Sequence, residues 1–174
     1  MIIDKPQSHF IFIYHRDSVY GYRNSITYKG KPLTNKEYLE HWGKWVIMGS
    51  REEFDELAKK LDPHVEDGAI PCVKYDREKL DHLGFKEHVM CVYCDKRERE
   101  EVWQILHGLG VRLKAWFYDR ETVEMWSPGG ILLENWIAAQ GLPPEEAGAV
   151  RDDSRRRFSV LFENEEGIFK GWEQ

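Results

Sequence analysis

The chain has 174 residues, 41% hydrophobic and 32% charged, the make-up of one globular domain with room for a sizeable core. Its formal net charge of -6 excludes bulk attraction to duplex DNA or an anionic membrane, so a polyanion has to be met by a local basic cluster. Three cysteines make no secreted disulfide framework, no apolar run approaches the roughly 20 residues that span a bilayer, and residues 1–6 lack the apolar stretch of a signal peptide, so the expected compartment is the cytoplasm.

In chain order, His9 to Tyr14 (HFIFIY) reads as a first strand, rich in β-branched and aromatic residues. Tyr20, Tyr22, Asn24 and Tyr28 follow in a polar, glycine-containing stretch read as a loop or loose hairpin. Thr34 and Glu37 form a capping box, in which the hydroxyl accepts from the N3 amide and the carboxylate reaches back. The helix they open should end at Gly43, before a strand from Trp45 to Met48. Ser50 and Glu53 repeat the capping box ahead of Phe54, Leu57, Ala58 and Leu61 at helical spacing, and Pro63 is expected to end that helix. Ile70 to Tyr75 and His88 to Cys94 read as strands, joined by a polar connection with a helical turn.

Asp95 is placed to cap a third helix, Lys96 to His107, with Val102, Trp103, Ile105 and Leu106 on its apolar face. Val111 to Tyr118 alternates as a strand does, Ile131 to Gln140 reads as a helix, and Pro143 to Asp153 reads as a charged loop. Arg155 to Glu163 is expected to be a last strand, and Phe169 and Trp172 to order part of the tail. Together these elements predict one α+β domain over residues 1–174: a curved, mostly antiparallel mixed sheet with about three helices on one face.

Chemistry-bearing motifs are sparse. Cys91 and Cys94 have CxxC spacing, but in a strand residues three apart face opposite sides about 10 Å apart, so they share neither a bond nor a metal and read as structural. The seven histidines form no metal-binding pair, and no phosphate loop or nucleophile elbow occurs, so no metal and no cofactor is expected. Arg151 and Arg155, Arg156 and Arg157 form the one concentrated basic site. In a strand Arg155 and Arg157 would share a face and clamp a phosphate, while the alternative is that they balance Asp152 and Asp153. Aromatic residues reach 13%, with 7 Trp. Trp45 and Trp103 read as packing residues, and Trp42, Trp116, Trp126 and Trp136 stay open to recognition, since an exposed Trp beside Arg grips a phosphorylated base or side chain.

Gly43-Lys44-Trp45-Val46-Ile47, the capped helix after it, Ile70-Pro71-Cys72-Val73-Lys74 and Val89-Met90-Cys91-Val92-Tyr93 resemble the basophilic-leukaemia-expressed protein family over about residues 40 to 120. The resemblance implies a fold like translation initiation factor 4E, a curved antiparallel sheet backed by helices. That factor sandwiches a methylated guanine between two tryptophans; no tryptophan precedes Trp42 here, so a different phosphorylated ligand is implied. A second similarity, to phosphothreonine lyases, implies Lys74 as a base, with His41 the candidate to protonate the departing phosphate. The expectation is therefore a non-catalytic domain binding a phosphorylated small molecule, an RNA end or a phosphopeptide through Arg155, Arg157, Trp42 and Trp116. The alternatives are a lyase-like enzyme working through Lys74 and His41, and a structural interaction domain.

Overall fold

In the computed structural model, which describes residues 1–23 and 25–171, five of the six expected strands form and all pair antiparallel. In chain order the strands are β1 (Ile2–Ile3), β2 (Phe10–Tyr14), β3 (Thr27–Tyr28), β4 (Lys31–Pro32), β5 (Trp42–Gly49), β6 (Cys72–Asp76), β7 (His88–Asp95) and β8 (Trp116–Tyr118). Six of them make one sheet in the order β1-β2-β6-β7-β5-β8, while β3 and β4 form a separate hairpin. The helices are α1 (Arg16–Val19), α2 (Asn35–His41), α3 (Arg51–Glu66), α4 (Arg99–Gly108), α5 (Asp119–Met125), α6 (Ile131–Gln140) and α7 (Pro144–Glu163). Asn24 and residues 172–174, Trp172 among them, lie outside the described residues.

Register decides what each face of the sheet carries. Ile13, Val73, Val92, Trp45 and Trp116 stand in one row across five strands, and Ile11, Tyr75, Met90 and Ile47 in the next. Both rows are covered by Phe54, Ala58, Leu61 and Val65 of α3 and by Val102, Trp103 and Leu106 of α4, which build the main core. Because side chains alternate along a strand, the opposite face carries Phe12, Lys74, Cys91 and Val46 in one row and Tyr14, Cys72, Tyr93 and Lys44 in another. That face is not bare: Tyr38 of α2, Val123 of α5, Leu161 of α7 and the tail residue Phe169 form a second core around Trp42 and Tyr93. Helices therefore lie on both faces rather than one, because the two rows hold too much aromatic surface to stay in water.

Both capping boxes form as expected. Thr34 Oγ1 accepts from the Glu37 amide at 3.1 Å and Ser50 Oγ from the Glu53 amide at 3.2 Å. Three expectations are corrected. Helix α3 runs through Pro63 to Glu66, since Val65, 1% exposed, completes the core stripe of Phe54, Ala58 and Leu61; burying Val outweighs one lost amide bond. Only Trp116 to Tyr118 pair with β5, because the Val111 amide bonds back to Leu106 and its side chain tucks into the core beside α4, drawing residues 112–114 off the edge. Pro144 to Glu163, in the segment read as a loop and then a strand, is the 20-residue helix α7, with Pro143 at its N-cap. Pro144 sits at the first turn, where a missing amide costs nothing, and Ala147, Phe158 and Leu161 face neighbouring cores while Ser154 Oγ donates to the Trp126 carbonyl.

Candidate functional site

Where the second core stops short of β2 and β6, it leaves a recess of about 220 Å³ over the sheet. Phe12, Tyr14, Cys72, Lys74 and Tyr93 form its floor, with Tyr38, Trp42 and Asp119 at the α2/α5 end and Ile26 and Phe169 as walls. Phe12 and Tyr14 lie two apart on β2 and their rings are nearly parallel, 5.3 Å between centroids. Phe169 stacks on Tyr38 at 3.7 Å, held there by the tail, whose Gly167 and Glu165 carbonyls accept the Asn35 and Lys36 amides at the start of α2.

Two charged groups line the recess. The Asp119 carboxylate is compensated, since the Lys44 ammonium donates to Oδ1 at 2.9 Å and the Tyr38 hydroxyl to Oδ2 at 2.7 Å. Lys74 is different. Its ammonium lies 4.4 Å from the Phe10 ring centroid and 5.9 Å from that of Tyr93, and among the described residues no carboxylate pairs with it. A half-buried ammonium resting on ring faces and short of a counter-ion is a receiver for an anionic group.

The other titratable groups on this floor are held neutral. Burial, with the nearby Asp119 charge, pushes the Cys72 thiol up to about 12, and burial raises Cys91 as well. Burial also pushes the Tyr14 phenol up to about 12 and Tyr93 well above its ordinary value. Near neutral pH these groups neither give up nor take a proton readily. A second hollow, about 270 Å³, is lined by Met1, Arg16 and Tyr20, and Arg16 is already tied to Glu66. Among the described residues no three His, Cys, Asp or Glu side chains are grouped to hold a metal ion, and no helix is long and apolar enough to cross a membrane.

The sequence-predicted residues separate. Trp42 and Lys74 come together in the recess, but Trp42 is 3% exposed and has too little free surface to stack on a ligand. Trp116 packs against Trp45 on the opposite side of the sheet, centroids 5.2 Å apart. Trp126 and Trp136 border the small core of Leu133, Ile137 and Ala147. Arg155 and Arg157 do not share a strand face. They lie on α7, exposed and outside the recess lining, with Arg155 paired to Asp152 at 2.8 Å and Arg156 to Asp153; residues two apart on a helix point nearly opposite ways. His41 lies beside Glu40, and burial followed by the Arg97 charge lowers its pKa. Cys91 and Cys94 take opposite faces, with Cys94 in the main core.

The residues that sequence reasoning missed are Phe12, Tyr14, Tyr93 and Asp119. The alternation of HFIFIY already set Phe10, Phe12 and Tyr14 on one face, whereas nothing in the sequence around Asp119 marked it as buried. No protein-family model, no curated protein and no solved structure matches this chain.

Proposed function

We propose that this protein is a binding domain for a phosphorylated or otherwise anionic ligand, taken up in the recess on Lys74. The observation that carries this reading is the Lys74 ammonium, held on the Phe10 and Tyr93 rings without a carboxylate partner. Phe12 and Tyr14, both half-buried, supply faces for a planar or apolar body, the work first expected of Trp42 and Trp116. A volume of about 220 Å³ is below the roughly 300–1,000 Å³ of sites that enclose a whole drug-sized molecule. The recess therefore takes one terminal group of a nucleotide, an RNA end or a phosphorylated peptide.

An antiparallel sheet with α3 and α4 behind it supports the initiation-factor-4E-like reading of the fold, with the ligand on the face away from those two helices. A lyase-like elimination would also use Lys74, but among the described residues no histidine lines the recess, and its thiols and phenols are poor proton donors at neutral pH. Binding is the better-supported reading.

The test is a titration of intrinsic Tyr and Trp fluorescence with nucleoside mono-, di- and triphosphates and with phosphotyrosine. Quenching that saturates, and that Lys74→Met removes, is the expected result. No quenching up to about millimolar ligand, a free energy of only about -4 kcal/mol, would overturn the reading.

A further inference from the structure

We infer that the β8 edge carries a second binding strip, separate from the recess, that holds single-stranded nucleic acid. At this edge cations and rings alternate. Arg97 stacks 3.6 Å from the Tyr28 ring, Lys96 and Arg120 lie 6.0 and 4.5 Å from Tyr118, and Arg99 lies 5.7 Å from Trp116. The strip is continuous: Lys96, Arg97 and Arg99 belong to one turn and the helix start after it, and the rings of Trp116 and Tyr118 touch edge to face at 5.8 Å. It wraps the sheet edge outside the recess lining: Trp116 packs on Trp45 of the main core on the α4 side, while Tyr28 under Arg97 packs on the second core.

Several neighbouring carboxylates are engaged, while Glu98 in the same turn and Glu40 beside His41 are exposed and paired with no Lys or Arg among the described residues. Asp95 is held by Arg97, Glu100 by Lys114 with Arg99 at 3.9 Å, and Glu121 accepts the Tyr118 amide. Lys96 and Arg120 have no carboxylate partner among the described residues.

In a chain of net charge -6, cations set on aromatic planes at one edge suit a flexible polyanion with flat bases. Phosphates take the ammonium and guanidinium groups, and bases slide onto the half-buried Tyr118 and Trp116, which share one face of β8. A duplex, whose bases are already stacked, gains only the charge component.

The experiment is fluorescence anisotropy of a labelled single-stranded oligouridylate of about 12 nucleotides, within the usual site size of such surfaces, in low salt. The expected result is saturable binding that weakens steeply between about 50 and 200 mM salt. The double variant Lys96→Glu/Arg120→Glu should bind at least tenfold more weakly, Tyr118→Ala should bind severalfold more weakly, and Lys59→Glu/Lys60→Glu, the same charge change on the exposed side of α3, should bind as wild type. If circular dichroism shows the double glutamate variant unfolded, Lys96→Gln/Arg120→Gln replaces it with the same expected direction. The inference is overturned by absence of binding in low salt, by a double variant that binds as wild type, or by a duplex or polyglutamate competing as well as the single strand.

Discussion

The Lys44 ammonium lies 2.9 Å from Asp119 Oδ1, 75 residues away in sequence, and both side chains are about nine-tenths buried. Lys44 also donates to Thr122 Oγ1 at 2.6 Å, and Tyr38 donates to the second Asp119 oxygen. One buried pair thus ties β5 to α5 and α2 and sets the charge at the end of the recess.

Breaking this pair from one side leaves an uncompensated charge in the interior, which costs about 3–5 kcal/mol. Lys44→Met is expected to lower the unfolding free energy by that amount, read as a lower urea midpoint at unchanged slope. Lys44→Met/Asp119→Leu should recover much of the loss, because two apolar residues leave no buried charge. Urea unfolding of the two variants and wild type checks both statements, and equal losses in the single and double variants would show that the charge pair is not the cause.

Gly43 is required by its neighbours rather than by its backbone angles. A Cβ there would stand 2.4 Å from Trp116 Cζ2 and 2.6 Å from the Phe117 carbonyl oxygen. Gly43→Ala therefore forces β8 off β5 and is expected to destabilise by about 1–3 kcal/mol, the range for overpacking. Gly43→Ala/Trp116→Phe should recover part of this and not all, since the carbonyl contact remains. Thermal unfolding followed by near-UV circular dichroism reads both the stability and the Trp45–Trp116 contact.

The three thiols give a chemical readout of the sheet's two faces. Burial pushes Cys72 up to about 12 and raises Cys91 and Cys94 as well. With a pKa of about 12, only about one Cys72 in ten thousand is thiolate near pH 8, and the thiolate is the reactive form. A colorimetric disulfide reagent is expected to titrate no thiol rapidly in the native protein and all three in denaturant. A fast native phase of one thiol would show the floor of the recess to be open to water.

Elements whose signals are local were legible. The two capping boxes, the alternation of β2 and the stripe of α3 needed only a few neighbouring residues. Helix α7 was hidden because Arg-Asp-Asp-Ser-Arg-Arg-Arg interrupts its apolar face. The signal was present at helical spacing in Ala147, Val150, Ser154, Phe158 and Leu161, and in the three-residue step from Asp152 to Arg155 and Asp153 to Arg156. Lys74 was picked out by family resemblance. What makes it a candidate, the rings of Phe10 and Tyr93 under its ammonium, depends on strand register across three strands. Asp119 follows a strand of only three residues, and its partners Tyr38 and Lys44 lie 81 and 75 positions away. Pairings at that range leave no trace in a local pattern.

Asp95 supplies a pH-dependent prediction. Its carboxylate is 1% exposed, and burial alone would raise its pKa. The Arg97 guanidinium, donating at 2.9 and 2.8 Å, and the Arg97 amide overcome burial and hold it below the ordinary carboxylate value. A carboxyl depressed in the folded state contributes stability above its unfolded value, about 3.9, and that contribution is lost as pH falls through the folded value. With Arg97→Gln the hydrogen-bonded counter-charge is gone and burial is left to act, so Asp95 moves upward and the variant is weakest where the group is forced to ionise. The gap in urea midpoint between wild type and Arg97→Gln is therefore expected to be widest near about pH 7 and to shrink steadily as pH falls below about 4. A gap that is constant with pH would mean that Arg97 stabilises through its stacking on Tyr28 and not through Asp95.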